Sequence, residues 1–340
     1  MSISELAKTA RAMVAKGKGI LAADESTGTI GKRFQSINVS NDEATRRAYR
    51  DMLFTTRGLG EQISGVILYD ETLRQAAKDG TLFPQLLSSK GMIPGIKLDS
   101  GAKDMALCPG ETVTEGLDGL AGRCAEYVKL GARFAKWRAV ITIGENIPSA
   151  SCIWANAHAL ARYAAICQEQ GLVPIVEPEV LMDGAHTIER CHEMTEWTLS
   201  AVFDALYNQR VVLEHMVLKP SMVIAGNACP AQAGIAEVAE RTLTVLKRTV
   251  PAAVPGIAFL SGGQSDEVAT AHLDAMNKLG AGALPWALTF SYGRALQQAS
   301  LKAWRGAAAN VGASQAALSH RARMNSLAAI GQYRPDLETK

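Results

Sequence analysis

The sequence lacks the features that mark several special classes of protein. Its formal net charge is only +2, from 35 basic and 33 acidic residues, which does not indicate binding to nucleic acid or to a membrane surface. No apolar run is long enough to span a bilayer, and no hydrophobic signal-peptide segment follows the N-terminus. We therefore expect a cytoplasmic protein that has neither a nucleic-acid nor a membrane partner.

Patterns of metal ligands and of paired cysteines are also missing. The six cysteines, at positions 108, 124, 152, 167, 191 and 229, include no Cys-x-x-Cys pair and are expected to be free thiols. The six histidines include no His-x-His or His-Glu-x-x-His motif. His186 and His192 could be metal ligands, but surface or core histidines are the better interpretation. The sequence thus predicts neither a metal ion nor a cofactor.

Short apolar runs that end on a polar residue alternate with helical stretches along the chain. They recur about every 30–45 residues, close to the length of one unit of a (β/α)8 barrel, and they predict parallel strands buried on both faces. The residues that end them are Asp24, Asp70, Lys97, Lys136, Glu177, Lys219, Ser261 and Ser291. No linker-like segment interrupts the series. We therefore predict an α/β protein, a single TIM barrel domain over residues 1–340, with a doubly wound open sheet as the alternative.

The helical stretches and the two ends of the chain complete this prediction. An additional N-terminal helix is expected to begin at a capping box formed by Ser2 and Glu5. Apolar residues at helical spacing predict further helices, among them 114–130, 154–170, 194–208 and 232–249. After Ser300 an alanine-rich segment predicts a helix at 301–330, within a C-terminal helical extension of about 300–340.

The charged residues that end the runs would meet at the C-terminal end of the barrel, where such folds have their active sites. A nucleophilic lysine must be neutral, and burial and a nearby cation both favour the neutral amine. Lys219 fits the nucleophile, Lys136 the nearby cation, and Glu177 an acid that shuttles protons. Asp24 could accept a proton from a substrate hydroxyl. For any one of these residues the alternative is that it has no function and only marks where a strand reaches solvent. Several lysines at the same end of the barrel nevertheless favour an active site.

Two glycine-containing segments late in the series are suited to binding anions. The segment 261–265, Ser-Gly-Gly-Gln-Ser, follows a predicted strand, and its backbone N–H groups can surround an anion. The segment 291–294, Ser-Tyr-Gly-Arg, adds a guanidinium group. Loops after the last two strands are the usual phosphate site in such barrels. Ser26, Thr29, Lys32 and Arg33 could hold a second phosphate, or they could simply begin a solvated helix.

Together these motifs resemble those of class I fructose-bisphosphate aldolases. The resemblance rests on residues 19–28 (GILAADESTG), 95–99 (GIKLD), 134–138 (FAKWR), 176–179 (VEPE), 218–220 (LKP), 260–265 (LSGGQS) and 291–296 (SYGRAL). It implies a glycolytic lyase that cleaves fructose 1,6-bisphosphate reversibly to dihydroxyacetone phosphate and glyceraldehyde 3-phosphate. It also implies an imine mechanism without a cofactor, and a homotetramer.

The same resemblance implies roles for individual residues. Lys219 would form the imine and Glu177 would be the general acid and base, with Glu179 beside it. Asp24 and Lys136 would act near the breaking carbon–carbon bond. The ketone-side phosphate would be held by Ser261, Gly262, Gly293 and Arg294, and the other phosphate by Ser26, Thr29, Arg33 and Lys97. Arg138 and Ser291 complete the expected substrate-binding set.

One departure and several alternatives remain open on the sequence alone. Many family members end in a mobile tail with a C-terminal tyrosine that assists proton transfer, whereas this sequence runs to Lys340 without one. The same mechanism could prefer fructose 1-phosphate or sedoheptulose 1,7-bisphosphate. The chain could also be a binding or scaffold protein that keeps the aldolase fold. A transaldolase-type barrel fits the lysine but not the full series of motifs.

Overall fold

The computed structural model describes residues 3–339, and its strands form a closed barrel with a small hairpin beside it. The strands are β1 (Gly19–Ala23), β2 (Ile63–Leu68), β3 (Ile93–Lys97), β4 (Ala102–Asp104), β5 (Thr112–Thr114), β6 (Phe134–Ile141), β7 (Val173–Val180), β8 (Val217–Leu218), β9 (Gly256–Phe259) and β10 (Ala287–Tyr292). All but β4 and β5 pair in parallel, in the closed order β1-β10-β9-β8-β7-β6-β3-β2. The predicted (β/α)8 barrel is therefore confirmed, and the open sheet is excluded.

Helices connect the strands and surround the barrel. They are α1 (Ile3–Met13), α2 (Thr27–Gln35), α3 (Glu43–Thr55), α4 (Asp70–Leu73), α5 (Phe83–Ser89), α6 (Leu120–Lys129), α7 (Ala150–Glu169), α8 (Ile188–Asn208), α9 (Ile235–Thr249), α10 (Asp266–Leu279), α11 (Arg294–Trp304) and α12 (Val311–Ala328). Within residues 3–339 no helix is long and apolar enough to cross a membrane. Ser2 of the predicted capping box lies outside the described residues.

Side chains alternate between the inside of the barrel and the layer beneath the helices, because successive residues of a strand point to opposite faces. In β6, Phe134 belongs to the small apolar cluster inside the barrel, whereas Ala135 and Trp137 belong to the large cluster beneath the helices. In β7, Val173 and Ile175 likewise point inward. The inward positions further along these two strands carry the charged residues.

The N-terminal helix closes the end of the barrel opposite to those charges. Leu6, Ala10 and Met13 of α1, together with Val14 directly after it, are buried in the same interior cluster as several residues of the barrel strands. The spacing of these four residues places them on one face of the helix. The predicted additional N-terminal helix is present, and it shields the apolar barrel interior from water at that end.

Two barrel strands are longer than the sequence pattern suggested. The apolar runs stop before Lys136 and Glu177, but β6 continues to Ile141 and β7 to Val180. Backbone pairing of the two strands extends past the charged residues, with Arg138 opposite Glu177 in register. Lys136 and Glu177 therefore lie within strands, held by pairing on both sides, rather than at strand ends.

The predicted bounds of several helices are wrong, and α8, for example, begins at Ile188 rather than at position 194. α6 begins at Leu120, because Thr114 belongs to the antiparallel hairpin of β4 and β5, which the sequence pattern did not predict. The segment 301–330 is not one helix but contains the end of α11 and all of α12. Arg305 and Gly306 adopt left-handed backbone, with φ of 50° and 74°, and this conformation ends α11.

Candidate active site

A cavity of about 340 Å³ opens at the C-terminal end of the barrel. It is lined by Asp24, Ser26, Thr29, Arg33, Lys97, Lys136, Arg138, Glu177, Glu179, Lys219, Ser261, Gly262, Ser291, Gly293 and Arg294, all of them predicted from the sequence. Lys32, the other candidate for the second phosphate, is exposed on α2 and does not line the cavity. Asp70, which was assigned no role, lies elsewhere as the first residue of α4 and pairs with Arg74.

Two lysines and two carboxylates form a buried cluster at the centre of this cavity. Lys136 Nζ lies 2.8 Å from Asp24 Oδ2 and 3.4 Å from Glu177 Oε2. Lys219 Nζ lies 3.1 Å from Glu177 Oε1. The side chains are only 4% to 11% exposed, so each charge is balanced mainly by its neighbours rather than by water. We call these four residues the central cluster.

The ion pairs of the central cluster fix the charge of two of its members. Burial alone would raise the pKa of Asp24, but the ammonium groups of Lys136 and Lys219 more than offset it and lower that pKa to about 2. Burial opposes the charged form of Lys136 as well, and Asp24 and Glu177 nevertheless raise its pKa above the usual value. At neutral pH the site thus holds a carboxylate base beside a permanent cation.

One oxygen of Glu177 is left without a hydrogen bond. Glu177 Oε1 is in contact with Lys219, whereas Oε2 is buried and accepts no hydrogen bond, although the Lys136 ammonium is 3.4 Å away. Buried polar atoms are normally paired, so such an atom in a cavity indicates a position where a substrate or a proton is received. Glu177 can therefore touch the Lys219 amine with one oxygen and a reacting group with the other.

The loops after β9 and β10 form one side of the cavity. Gly262 and Gly263 have φ of 57° and 87°, and this left-handed backbone turns the loop sharply before α10. The hydroxyl of Ser291 is buried without a partner. Arg294 is the first residue of α11, where the helix N-terminus also favours an anion. This side is therefore rich in donors for which residues 3–339 provide no acceptor.

Three further cations that line the cavity already have carboxylate partners, and one of them, Arg33, lies beside Gly293 of the β10 loop. Lys97 Nζ lies 2.6 Å from Asp99 Oδ1. Arg138 forms an ion pair with Glu179, and Arg33 forms one with Glu25. Nearby, the hydroxyl of Ser26 caps α2 by accepting a hydrogen bond from the Thr29 backbone N–H. An anion bound by these three cations would share them with the protein's own carboxylates.

Comparison with known proteins identifies the family. The family model of class I fructose-bisphosphate aldolases matches residues 5–340. The chain belongs to this aldolase family. It is accordingly a lyase, and its reaction is the reversible cleavage of fructose 1,6-bisphosphate to dihydroxyacetone phosphate and glyceraldehyde 3-phosphate.

Individual relatives agree with the family match along almost the whole chain. A probable class 1 fructose-bisphosphate aldolase of Xanthomonas axonopodis is 61% identical, with 98% of this chain and 100% of the relative covered. Cytosolic fructose-bisphosphate aldolase 5 of Arabidopsis thaliana is 58% identical over 97% of this chain and 91% of the relative. A crystal structure of Plasmodium falciparum fructose-bisphosphate aldolase in complex with TRAP and an inhibitor has a TM-score of 0.95 and 51% identity, covering 97% and 95% of the two chains.

Sequence reasoning missed two carboxylates that organise the site of this aldolase family member. Glu25 is buried and pairs with Arg33 and with Arg50, whose Nη2 lies 2.6 Å from Glu25 Oε2. Asp99 pairs with Lys97 and also accepts a hydrogen bond from the Arg138 backbone N–H at 3.3 Å. Each lies close in sequence to a predicted residue, which was the available signal, but only the folded chain shows which cation each one meets.

The thiols and metal-binding side chains lie apart from this chemistry. The six cysteines are free, as predicted, and five of them are buried. In the part of the chain that the structure describes, no group of three or more His, Cys, Asp or Glu side chains is placed to hold a metal ion. Among the described residues, neither a cysteine nor a histidine lines the cavity.

Proposed function

We propose that Lys219 attacks the ketone carbon of fructose 1,6-bisphosphate and forms an imine with it. The observation that carries this assignment is the position of the amine, which is buried at the end of β8 and lies 3.1 Å from Glu177 Oε1. A nucleophilic amine needs a neighbouring group that accepts its proton, and Glu177 is within reach. Lys136 is the other amine in the cluster, but Asp24 and Glu177 hold it in the charged form.

Glu177 then carries protons during imine formation. Attack of the neutral amine gives a carbinolamine, and its hydroxyl leaves as water after it receives a proton. The oxygen of Glu177 that makes no hydrogen bond is suited to deliver that proton, while the other oxygen stays in contact with the lysine nitrogen. Glu179 orients Arg138 by their ion pair and acts on the substrate only through it.

Asp24 acts as the base in the cleavage step, and Lys136 keeps Asp24 ionised. Asp24 removes the proton from the hydroxyl on the fourth carbon, the bond between the third and fourth carbons breaks, and its electron pair moves into the imine to give an enamine. Glyceraldehyde 3-phosphate leaves as the aldehyde. The low pKa of Asp24, about 2, keeps it ionised and able to accept the proton. Protonation of the enamine carbon and hydrolysis of the imine then release dihydroxyacetone phosphate.

The two phosphates are proposed to bind to two different groups of residues that line the cavity. The ketone-side phosphate meets the unused donors of Ser261, Gly262, Ser291, Gly293 and Arg294. The other phosphate meets Ser26, Thr29, Arg33, Lys97 and Arg138. Because the three cations of the second group have carboxylate partners, the second phosphate gains less than three free charges would give. We therefore expect the ketone-side phosphate to contribute more of the affinity.

We also propose that residues 1–340 act as one domain, that the protein assembles as a homotetramer, and that it works in the cytoplasm. The single closed barrel supports the first proposal, membership of the aldolase family supports the second, and the cytosolic plant relatives support the third. Light scattering coupled to gel filtration measures the mass of the assembly. A mass near four times 36.2 kDa is expected, and a monomeric mass would contradict the tetramer.

Trapping the imine tests the proposed mechanism directly. The protein is incubated with dihydroxyacetone phosphate, reduced with borohydride, digested, and mapped by mass spectrometry. A single triose-phosphate adduct on Lys219 is expected. Lys219→Met should give no adduct and no turnover, while its circular dichroism spectrum stays that of the unchanged protein. An adduct on a different lysine, or clear turnover by Lys219→Met, would refute the assignment.

A further inference from the structure

Hydrogen bonds hold the loop that follows β9 on its side facing away from the cavity. The backbone carbonyl of Ser261 accepts two hydrogen bonds, one from the Gln264 backbone N–H at 3.0 Å and one from Gln264 Nε2 at 3.0 Å. Gln264 Nε2 also lies 3.6 Å from the sulfur of Met222. The amide nitrogen of Gln264 is thus directed at two acceptors, which leaves its oxygen pointing in the other direction.

A buried histidine is hydrogen-bonded to the side-chain oxygen of Gln264. His272 lies on α10, is 5% exposed, and its Nδ1 is 2.6 Å from Gln264 Oε1. Because the amide oxygen can only accept, Nδ1 must carry the proton and donate it. Burial lowers the pKa of His272 to about 4, so the ring is neutral at neutral pH and can keep this tautomer. A chain of directed hydrogen bonds therefore runs from His272 through Gln264 to the Ser261 carbonyl.

The direction of that carbonyl decides the direction of a backbone donor. In a planar trans peptide the C=O and the following N–H point to opposite sides. When the Ser261 carbonyl is held toward Gln264, the N–H of Gly262 must point the other way, and Gly262 lines the cavity. In the described part of the chain no group accepts a hydrogen bond from the Gly262 N–H. Because the left-handed glycines of this turn could otherwise adopt several conformations, the peptide needs such a restraint.

We propose that His272 and Gln264 are positioning residues that hold the Ser261–Gly262 peptide with its N–H directed at the ketone-side phosphate. This inference rests on the proposed binding of that phosphate to the loop. His272 does not touch the substrate, and it acts through Gln264. Its loss frees the peptide to rotate and weakens phosphate binding, and the reacting groups of the central cluster stay in place.

Three variants separate positioning from general damage to α10. His272→Leu keeps a buried side chain and removes the donor. His272→Asn places an amide nitrogen the same number of bonds from Cα as Nδ1, so it can still donate to Gln264. Thr270→Val is the matched control on the same helix, because Thr270 is fully buried and hydrogen-bonded to Asn325 rather than to the loop.

The KM and kcat of each variant are measured with fructose 1-phosphate, which carries only the ketone-side phosphate. For His272→Leu we expect KM to rise roughly three- to tenfold, the loss for one or two hydrogen bonds, with kcat within about twofold. His272→Asn should return KM to near the unchanged value, and Thr270→Val should leave it unaltered. The proposal is overturned if His272→Leu has an unchanged KM, if His272→Asn is as impaired as the leucine variant, or if Thr270→Val raises KM equally.

Borohydride trapping on the same variants shows whether the positioning role or the imine mechanism has failed. An adduct on Lys219 in His272→Leu together with an unchanged KM would overturn the positioning role and leave the imine mechanism standing. The absence of any adduct in the unchanged protein would overturn the imine mechanism itself, whatever the KM values of the variants.

Discussion

Removing the positive charge of Lys136 is the perturbation with the clearest physical consequence. Its ammonium lies 2.8 Å from Asp24 and 3.4 Å from Glu177, and all three groups are almost fully buried. In Lys136→Met the side chain keeps its length and loses its charge. The two carboxylates then share Lys219 as their only cation within the central cluster. A buried negative charge is left without compensation, so both stability and activity should fall.

The magnitude follows from those distances. At an effective dielectric constant of about 20, contacts of 2.8 and 3.4 Å correspond to about 5–6 kcal/mol each before desolvation is subtracted. Breaking a buried ion pair from one side costs about 3–5 kcal/mol in net stability. We therefore expect the free energy of unfolding to fall by about 3–5 kcal/mol near neutral pH, and turnover to fall because Asp24 and Glu177 lose the cation that lies between them.

The loss in free energy of unfolding caused by Lys136→Met should depend on pH. The pKa of Asp24 in the folded protein is about 2, below the ordinary 3.8, so its ionisation stabilises the fold by about 2 kcal/mol above pH 3.8, and that contribution is lost as the pH falls toward 2. Without Lys136, the pKa of this carboxyl should be higher than in the unchanged protein, because burial is then opposed only by Lys219 and Lys97. The variant therefore loses less stability than the unchanged protein as the pH falls, and the difference in free energy of unfolding between them narrows.

Urea unfolding followed by tryptophan fluorescence, at one protein concentration and at several pH values, measures these differences. Lys136→Arg is the control, because it keeps the charge and should lose much less stability. Arg74→Met removes an exposed cation with two acidic partners and should cost less than about 1 kcal/mol. A deficit for Lys136→Met no larger than that of Arg74→Met, or one that does not change with pH, would refute the electrostatic argument.

Three further predictions concern phosphate binding, metals and acid stability. Arg294→Ala should raise the KM for fructose 1,6-bisphosphate, and an unchanged KM would mean that the ketone-side phosphate binds elsewhere. Incubation with a chelator should leave turnover unaltered, and a loss restored by a divalent metal would contradict the imine mechanism. His272 is buried with a pKa of about 4 against an ordinary 6.5, so its neutral form adds roughly 3 kcal/mol to stability above pH 6.5, and this is lost as the pH falls toward 4. His272→Asn should therefore lose less stability than the unchanged protein over that interval in urea titrations.

The barrel and its cavity could be predicted because they depend on local patterns. A buried parallel strand is a short apolar run, and the end of such a run marks where polar side chains reach the cavity. That rule placed Asp24 and Lys219 correctly at the ends of β1 and β8. It was less successful for Lys136 and Glu177, because pairing between β6 and β7 continues where the apolar pattern has already stopped.

The remaining features depend on contacts that no local pattern contains. The hairpin of β4 and β5 is short and partly exposed, so it carries little apolar alternation. The break at Arg305 rests on a left-handed conformation that arginine seldom adopts, and the sequence gives no glycine signal until the following position. Glu25 also pairs with Arg50 of α3, and Asp99 also accepts a hydrogen bond from the Arg138 backbone of β6. These two contacts are decided by tertiary packing.

Because side chains alternate along β6, the residues that line the cavity are different from the residues that pack beneath the helices. Lys136 and Arg138 face the cavity, and the alternating residues Ala135, Trp137 and Ala139 pack beneath the helices. Substitutions at the outward positions can therefore change thermal stability without altering any group that meets the substrate. The enzyme can adapt to a new working temperature through every second residue of this strand while its chemistry stays unchanged.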